Sequence, residues 1–220
     1  MMDELSPQEA LIREIHHRVK NNLQMIVSLL HLQATHTDDP HLIVAFKETE
    51  GRVRAIAHLH ERTYATDDLT EVEFSAYLTT LAQELVAMNS SDAGRVKLHL
   101  DVCEMVLHIE QAVPLGLIAN ELITNSLKHA FKDSGGALIV TLSYVPNSYS
   151  AERGETADDG WAQLRVQDSG PGLPAGFNID AAHSMSFHLI RLLVRQVRGR
   201  LEIGTGGGAD FLLAFPLRYN

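Results

Sequence analysis

The sequence predicts an α+β protein in two parts: a helical hairpin that pairs with a second copy into a four-helix bundle, then an α/β sandwich with helices layered on a mixed sheet. Three observations carry that reading. Apolar residues recur at helical spacing from Ile12 to Tyr64. Thr37-Asp38-Asp39-Pro40 breaks that pattern in two. Beyond Ala65-Thr66-Asp67-Asp68 the texture changes to short alternating runs interleaved with helical ones.

The opening Ser6-Pro7-Gln8-Glu9 reads as a helix start, with serine as cap and proline in the first turn. Ile12, Ile15, Val19, Leu23, Ile26 and Leu30 then form the seam of a coiled coil or bundle. After the break, Leu42, Phe46, Val53, Ile56, His60 and Tyr64 line one side of a second helix. A hairpin alone does not cover both stripes, which favours a homodimeric bundle over packing against the rest of the chain. Residues 1–68 form this hairpin domain and residues 69–220 a second domain. In the latter, residues 74–88 are helical, and residues 96–102 alternate as a strand with which residues 105–109 can pair. Residues 114–131 are helical, with Pro114 in the first turn. Residues 137–145 and 161–167 are strands joined by the polar loop 146–160. A helix over 187–197 and strands at 201–203 and 211–215, flanking Gly206-Gly207-Gly208, close the chain.

Composition narrows the function. With 220 residues, 45% hydrophobic and 21% charged, the chain suits a soluble globular protein. A net charge of −10 argues against a nucleic-acid surface. No apolar run approaches the roughly 20 residues of a membrane span, and the N-terminus lacks the regions of a signal peptide. The single Cys103 suits a reducing cytoplasm. Twelve histidines invite a metal reading, but no Cys/His spacing supports one.

On a wheel of about 100° per residue, the seam of the first helix centres between Ile15 and Val19. His17 then points outward and His16 sits on the seam's flank. A nucleophile that meets first a donor and later an acceptor must face solvent, so His17 is the candidate phosphate carrier. Glu14 and Asn21 lie one turn before and after it. A carboxylate at Glu14 can hold one imidazole N–H and leave the other nitrogen to attack, and Asn21 can position a water for the reverse, hydrolytic reaction. Arg18 and Lys20 flank the site. The competing reading is a solvated helix face with an ordinary surface histidine.

A second constellation lies downstream. Glu121, Asn125 and Lys128 share one helix face, where an amide oxygen and a lysine suit Mg²⁺ and a phosphate tail and Glu121 can orient a water. Asp168 ends a strand and opens Asp168-Ser169-Gly170-Pro171-Gly172. A carboxylate there can accept the exocyclic amine of adenine, and the glycines let the backbone approach the ring. A polar outer stripe and a simple turn are the alternatives.

On the strings Glu14-Ile-His-His-Arg-Val-Lys-Asn-Asn-Leu-Gln24, Asn120-Glu-Leu-Ile-Thr-Asn-Ser-Leu-Lys-His-Ala-Phe131 and Asp168–Gly172, the chain resembles the catalytic core of bacterial sensor histidine kinases. The resemblance covers residues 10–217 and is strongest to the subfamily with a His-Arg-Val-Lys-Asn acceptor motif, related to the HWE kinases, although the Trp-x-Glu signature of the latter is not visible. It implies a dimerising hairpin with His17 as the phosphorylated residue, then an ATP-binding sandwich of the gyrase and Hsp90 type. It further implies Asn125 as Mg²⁺ ligand, Lys128 as phosphate contact, Asp168 as adenine contact, and Gly170 and Gly172 in the nucleotide loop. The implied activity is ATP-dependent autophosphorylation of His17, then transfer to an aspartate on a response regulator's receiver domain.

The chain departs from the family pattern at Ser184-Met-Ser-Phe-His188, where Ser186 stands in place of a glycine. Its Cβ restricts a backbone that must hug the triphosphate, while its hydroxyl can donate to phosphate. The presumed lid, residues 175–184, has no basic residue, and Arg191, Arg195, Arg198 and Arg200 read as a solvated helix face. Few residues precede the hairpin where an input domain is usual, so the chain is expected to be a core cut from a longer protein or a free-standing protein. The latter gives the alternative function: a histidine phosphotransferase relaying phosphate between receiver domains, its sandwich no longer binding ATP.

Overall fold

Prolines begin both helices of the hairpin, α1 (Pro7–Thr35) and α2 (Pro40–Arg62), in the computed structural model. At a first helical position the missing N–H is no loss, because that group has no intrahelical partner. The structure describes residues 7–62, 70–88, 96–131, 135–145, 160–204 and 206–217. The side chains of residues 7–13, 16, 17 and 62 lie outside that description. So do Ser6, the linker around residues 65–68 and nearly all of the 146–160 loop.

Asp39 caps α2, its Oδ1 accepting the His41 N–H at 2.8 Å. The face of α1 that turns inward carries half-buried Leu23, Val27 and Leu30 and buried Ala34, and α2 answers with Ala55, Ala57 and fully buried Leu59. Lys20 bonds Glu61 across the hairpin at 2.7 Å. The expected seam is shifted: Ile15 and Ile26 are 49% and 43% exposed, and Val27 takes the inward place. The apolar arc of α1 is wider than one partner helix can cover, so Met25, Leu29 and Leu32 also face outward.

The chain forms two compact units, Met1–Glu73 with Val106–Val113, and Phe74–Met105 with Pro114–Asn220. The first contains the hairpin and a two-stranded ribbon, β1 (Glu71–Glu73) antiparallel to β3 (Val106–His108), with Val72 opposite Leu107. Residues 105–109 therefore do not pair with the preceding strand, β2 (Val96–Val102). The chain does not fold back after β2: Cys103 still donates to the Leu142 carbonyl, and Met105 then accepts from Phe74.

In the second unit, α3 (Phe74–Met88), the body of α4 (Ile109–His129) and α5 (Met185–Gln196) accompany a five-stranded sheet. The strand order is β2, β4 (Gly136–Val145), β5 (Trp161–Asp168), β7 (Asp210–Pro216), β6 (Arg200–Ile203). β2 runs parallel to β4, and the other neighbours are antiparallel. Burial alternates along β4, where Leu138, Val140 and Leu142 are buried and the residues between them half-buried. Those residues, with Leu164, Leu213 and Phe215, form a core with Leu78, Leu115, Ile118, Leu122 and Ile190 from the helices.

α4 starts five residues before Pro114, not at it. Upstream groups receive its first N–H donors: Ile109 donates to the Thr70 carbonyl at 2.8 Å and Glu110 to His108 Nδ1 at 3.3 Å. Pro114 then sits in the second turn, at the cost of one helical hydrogen bond.

Leu164→Ala, at a fully buried position of the central strand, should destabilise the protein by about 2–5 kcal/mol in urea unfolding; a loss below about 1 kcal/mol would contradict this account of the core.

Candidate functional site

α4 presents polar residues to two neighbours at once, because consecutive helical residues lie about 100° apart. Asn125 turns toward the start of α5, where its Nδ2 donates to Ser186 Oγ at 3.1 Å. Ser186 Oγ in turn donates to Glu121 Oε2 at 2.6 Å, a short, charge-assisted bond. The next residue, Ser126, turns toward the end of β5 and donates to Asp168 Oδ2 at 2.8 Å. One helix thus holds a carboxylate–hydroxyl–amide chain on one side and clamps a second carboxylate on the other.

Asp168 is the last residue of β5 and is buried. Its Oδ1 accepts the N–H groups of Gly170 at 3.0 Å and Ala209 at 3.1 Å. Its three donors, a hydroxyl and two backbone N–H groups, are all neutral. The backbone is crowded there. A side chain at Gly208 would run into the Asp168 carbonyl, and one at Gly170 would meet the Ala130 backbone. Gly172 adopts φ 79°, a conformation open to glycine. Ser169 ties the loop to β4 by accepting the Ala137 N–H at 2.8 Å.

The lid expectation changes in one respect. Residues 175–184 carry no basic side chain, but Arg191 reaches back from α5. Its Nη1 donates to the Ile179 carbonyl and, at 3.1 Å, to that of Ala182. Those carbonyls bracket a single 3-10 turn, Ile179–Ala181, whose start is capped by Asn178. Phe177 packs on Phe187 with ring centroids 5.1 Å apart, fixing the segment's other end to α5. Of the four arginines, Arg195, Arg198 and Arg200 are exposed as expected, but only Arg191 and Arg195 lie on α5. Arg191 holds the 175–184 segment against α5, Arg198 takes a left-handed φ of 54° just past α5, and Arg200 lies over the Trp161 ring at 5.9 Å.

The structure brings Glu121, Asn125 and Ser186 into one hydrogen-bonded chain, and Asp168, Gly170 and Gly172 into the adjoining loop. Lys128 is half-buried near the end of α4. The Ser186 proton, which the sequence suggested for phosphate, goes to Glu121. Sequence reasoning missed Ser126, Ser169 and Gly208. Gly208 had a signal, as the last of three glycines before the closing strand; a serine beside a singled-out asparagine gave none.

His17 lies within α1, but which way it and His16 face falls outside the described side chains. Glu14 accepts from Arg18 Nε at 2.8 Å, both side chains being more than half exposed, and Asn21 is exposed. Among the described residues no three His, Cys, Asp or Glu side chains converge as a metal site.

Comparison with known proteins bears on this arrangement. The family model described as "Histidine kinase" matches residues 14–89, and that described as "Histidine kinase-, DNA gyrase B-, and HSP90-like ATPase" matches residues 110–219. Sensor histidine kinase PdtaS of Mycolicibacterium smegmatis is 32% identical over 97% of this chain and 41% of its own. Blue-light-activated histidine kinase 2 of Erythrobacter litoralis is 28% identical over 93% of this chain and 56% of its own. The solved Erythrobacter litoralis EL346 blue-light activated histidine kinase superposes with a TM-score of 0.70 at 23% identity, covering 99% of this chain and 62% of that one. Its histidine kinase domain gives a TM-score of 0.67 at 24% identity, covering 94% and 93%. These structural likenesses carry the fold. The chain spans 41% and 56% of the lengths of those two curated relatives.

Ser126→Ala should leave the buried Asp168 short of a donor and cost about 1–3 kcal/mol of stability. Gly208→Ala should cost more, since the obstacle it meets is backbone. Urea unfolding of both variants checks the order, and a Gly208→Ala protein as stable as the wild type would contradict it.

Proposed function

Because the chain belongs to the histidine kinase family, we propose that it phosphorylates its own His17 from ATP and passes the phosphoryl group to an aspartate on a response regulator's receiver domain. The observation that carries this reading is the double use of α4: Glu121 and Asn125 are organised at the start of α5 while the adjacent Ser126 holds Asp168 at the strand end. That is a place for the phosphate end and the base end of one nucleotide.

The roles follow from the chemistry of each group. Three of the roughly four lone-pair directions of the Asp168 carboxylate are used, which leaves one for the exocyclic amine of adenine. Gly170 and Gly172 keep the loop thin enough for the ring to approach, and Lys128 supplies a cation for the phosphates. Asn125 would hold Mg²⁺, which when bound supplies charge neutralisation at the phosphates. Glu121 is the buried carboxylate that orients an attacking group or water.

In the transfer, an unprotonated ring nitrogen of His17 attacks the γ-phosphorus. The bond from that phosphorus to the β,γ-bridging oxygen breaks, and ADP departs with the electron pair. Glu14 takes the proton from the other ring nitrogen. Its bond to Arg18 is an exposed pair of small worth and is readily exchanged. In the second transfer the P–N bond breaks as a receiver carboxylate oxygen bonds phosphorus. Asn21, exposed one turn beyond His17, orients water for the competing hydrolysis.

The outward apolar residues Ile15, Met25, Ile26, Leu29 and Leu32 of α1 support a homodimer joined through the hairpin. No helix of the described residues is long and apolar enough to cross a membrane. The lone cysteine and the need for ATP support a cytoplasmic site of action.

One observation favours a second reading, a phosphotransferase that takes phosphate from a charged receiver: Ser186 lies between Glu121 and Asn125, in the place expected to receive phosphates. Incubation with radiolabelled ATP and Mg²⁺ separates the two. The kinase acquires acid-labile label that is lost in His17→Ala and reduced at least tenfold in Asn125→Ala. A wild-type chain that takes label only from a phosphorylated receiver, with no thermal shift on adding ATP, is the relay.

A further inference from the structure

Ser186 sits in the first turn of α5, half-buried, with its hydroxyl between two side chains of α4 that are one turn apart. A serine hydroxyl has one proton. An ionised carboxylate only accepts, so that proton is committed to Glu121 Oε2 at 2.6 Å. Toward Asn125 the same oxygen can then only accept. The asparagine must present its NH₂ group to Ser186, as it does at 3.1 Å, and its carbonyl oxygen is turned the other way. An amide is nearly symmetric in shape, so packing alone discriminates poorly between its two flipped states. Here a chain of donors and acceptors that begins at the Glu121 carboxylate makes the choice.

We infer that Ser186 is a positioning residue that orients the amide of Asn125, reserving its Oδ1 for a divalent cation, with Glu121 setting the direction of the chain. This rests on the proposed nucleotide site and adds to it a device built from a residue that the family pattern would have as glycine. Without the hydroxyl, the amide would choose freely between presenting oxygen and presenting NH₂, and only the first state can ligate a cation. The contribution of Mg²⁺ to nucleotide binding should therefore fall while the contact to the base at Asp168 persists.

The test is calorimetric titration of the whole chain with ADP, in Mg²⁺ and in EDTA, reading the ratio of the two affinities. Ser186→Ala and Ser186→Gly should each reduce that ratio about fivefold, the worth of one orienting hydrogen bond. Ser186→Thr, which keeps the hydroxyl, should restore it. In an Asn125→Asp background both terminal atoms are oxygens and there is nothing to orient, so Ser186→Ala should alter the ratio less than twofold. An unchanged ratio in both Ser186→Ala and Ser186→Gly overturns the inference. So does an equal fall in Ser186→Thr, because the hydroxyl would then be irrelevant and the effect one of shape. Two hydroxyl-free variants guard against one that fails to fold. A wild-type chain that binds ADP in neither condition refutes the nucleotide site itself, an outcome distinct from either of these.

Discussion

A buried carboxylate must find its donors inside the protein, and the demands of Asp168 organise the second unit. At 5% exposure it draws on a hydroxyl from α4, an N–H from the loop that follows it and an N–H from the foot of β7. Those three segments can meet around one side chain only if their backbones come unusually close. Glycines at 170 and 208 are the chemical answer, since any Cβ there strikes a neighbouring backbone. Once Ser126 is committed to Asp168, the rotation of α4 about its axis is set, and Asn125 faces α5. The geometry of the candidate phosphate end thus follows from the satisfaction of a charge at the base end.

The hairpin obeys a different rule. Its ion pairs range from the exposed Arg18 with Glu14, which contributes little, to half-buried ones such as Lys20 with Glu61 and Arg52 with Glu48. The helices are held by close approach: Ala34, Ala55 and Ala57 are buried and let Leu59 seat completely. Glu50 is the most buried of these carboxylates, bonded to Arg54 at 2.6 Å and 3.5 Å from His31 on the facing helix. What remains is a broad apolar arc on α1, rich in residues that a globular surface seldom groups together. A unit designed around one packed site and a unit designed around an uncovered stripe are suited to different work, one to holding a small ligand and the other to association.

Much of this was legible in the residue order, and the failures have physical causes. The start of α2, the borders of α3, the strand ending at Asp168 and the helix carrying Asn125 follow from periodicity, proline and turn chemistry, all of which are local, while the expected end of α2 beyond Tyr64 lies outside the described residues. The partner of β3 and the start of α4 did not follow. They depend on where Thr70, His108 and Leu142 lie in space, and period-two alternation says that a strand exists without naming its neighbour. Of the seam expected on α1, Val19, Leu23 and Leu30 are half-buried, whereas Ile15 and Ile26 face outward and Val27 takes an inward place, because a wide apolar arc does not say which part of it meets α2. In the site, the residues that bring their own chemistry were visible, while Ser126 and Arg191, which act by reaching a particular carboxylate or carbonyl, were hidden among ordinary serines and arginines.

The parallel pairing of β2 with β4 carries a consequence for how the molecule assembles. Parallel neighbours cannot be joined by a tight turn, and here the excursion between them includes β3 and the whole of α4. The helix bearing Glu121, Asn125 and Ser126 is thus part of the crossover itself. A nascent chain cannot complete this edge of the sheet without also closing a long loop through that helix, a slow, entropically uphill event. Competence to hold a ligand should accordingly emerge late and all at once, with no half-built intermediate that binds.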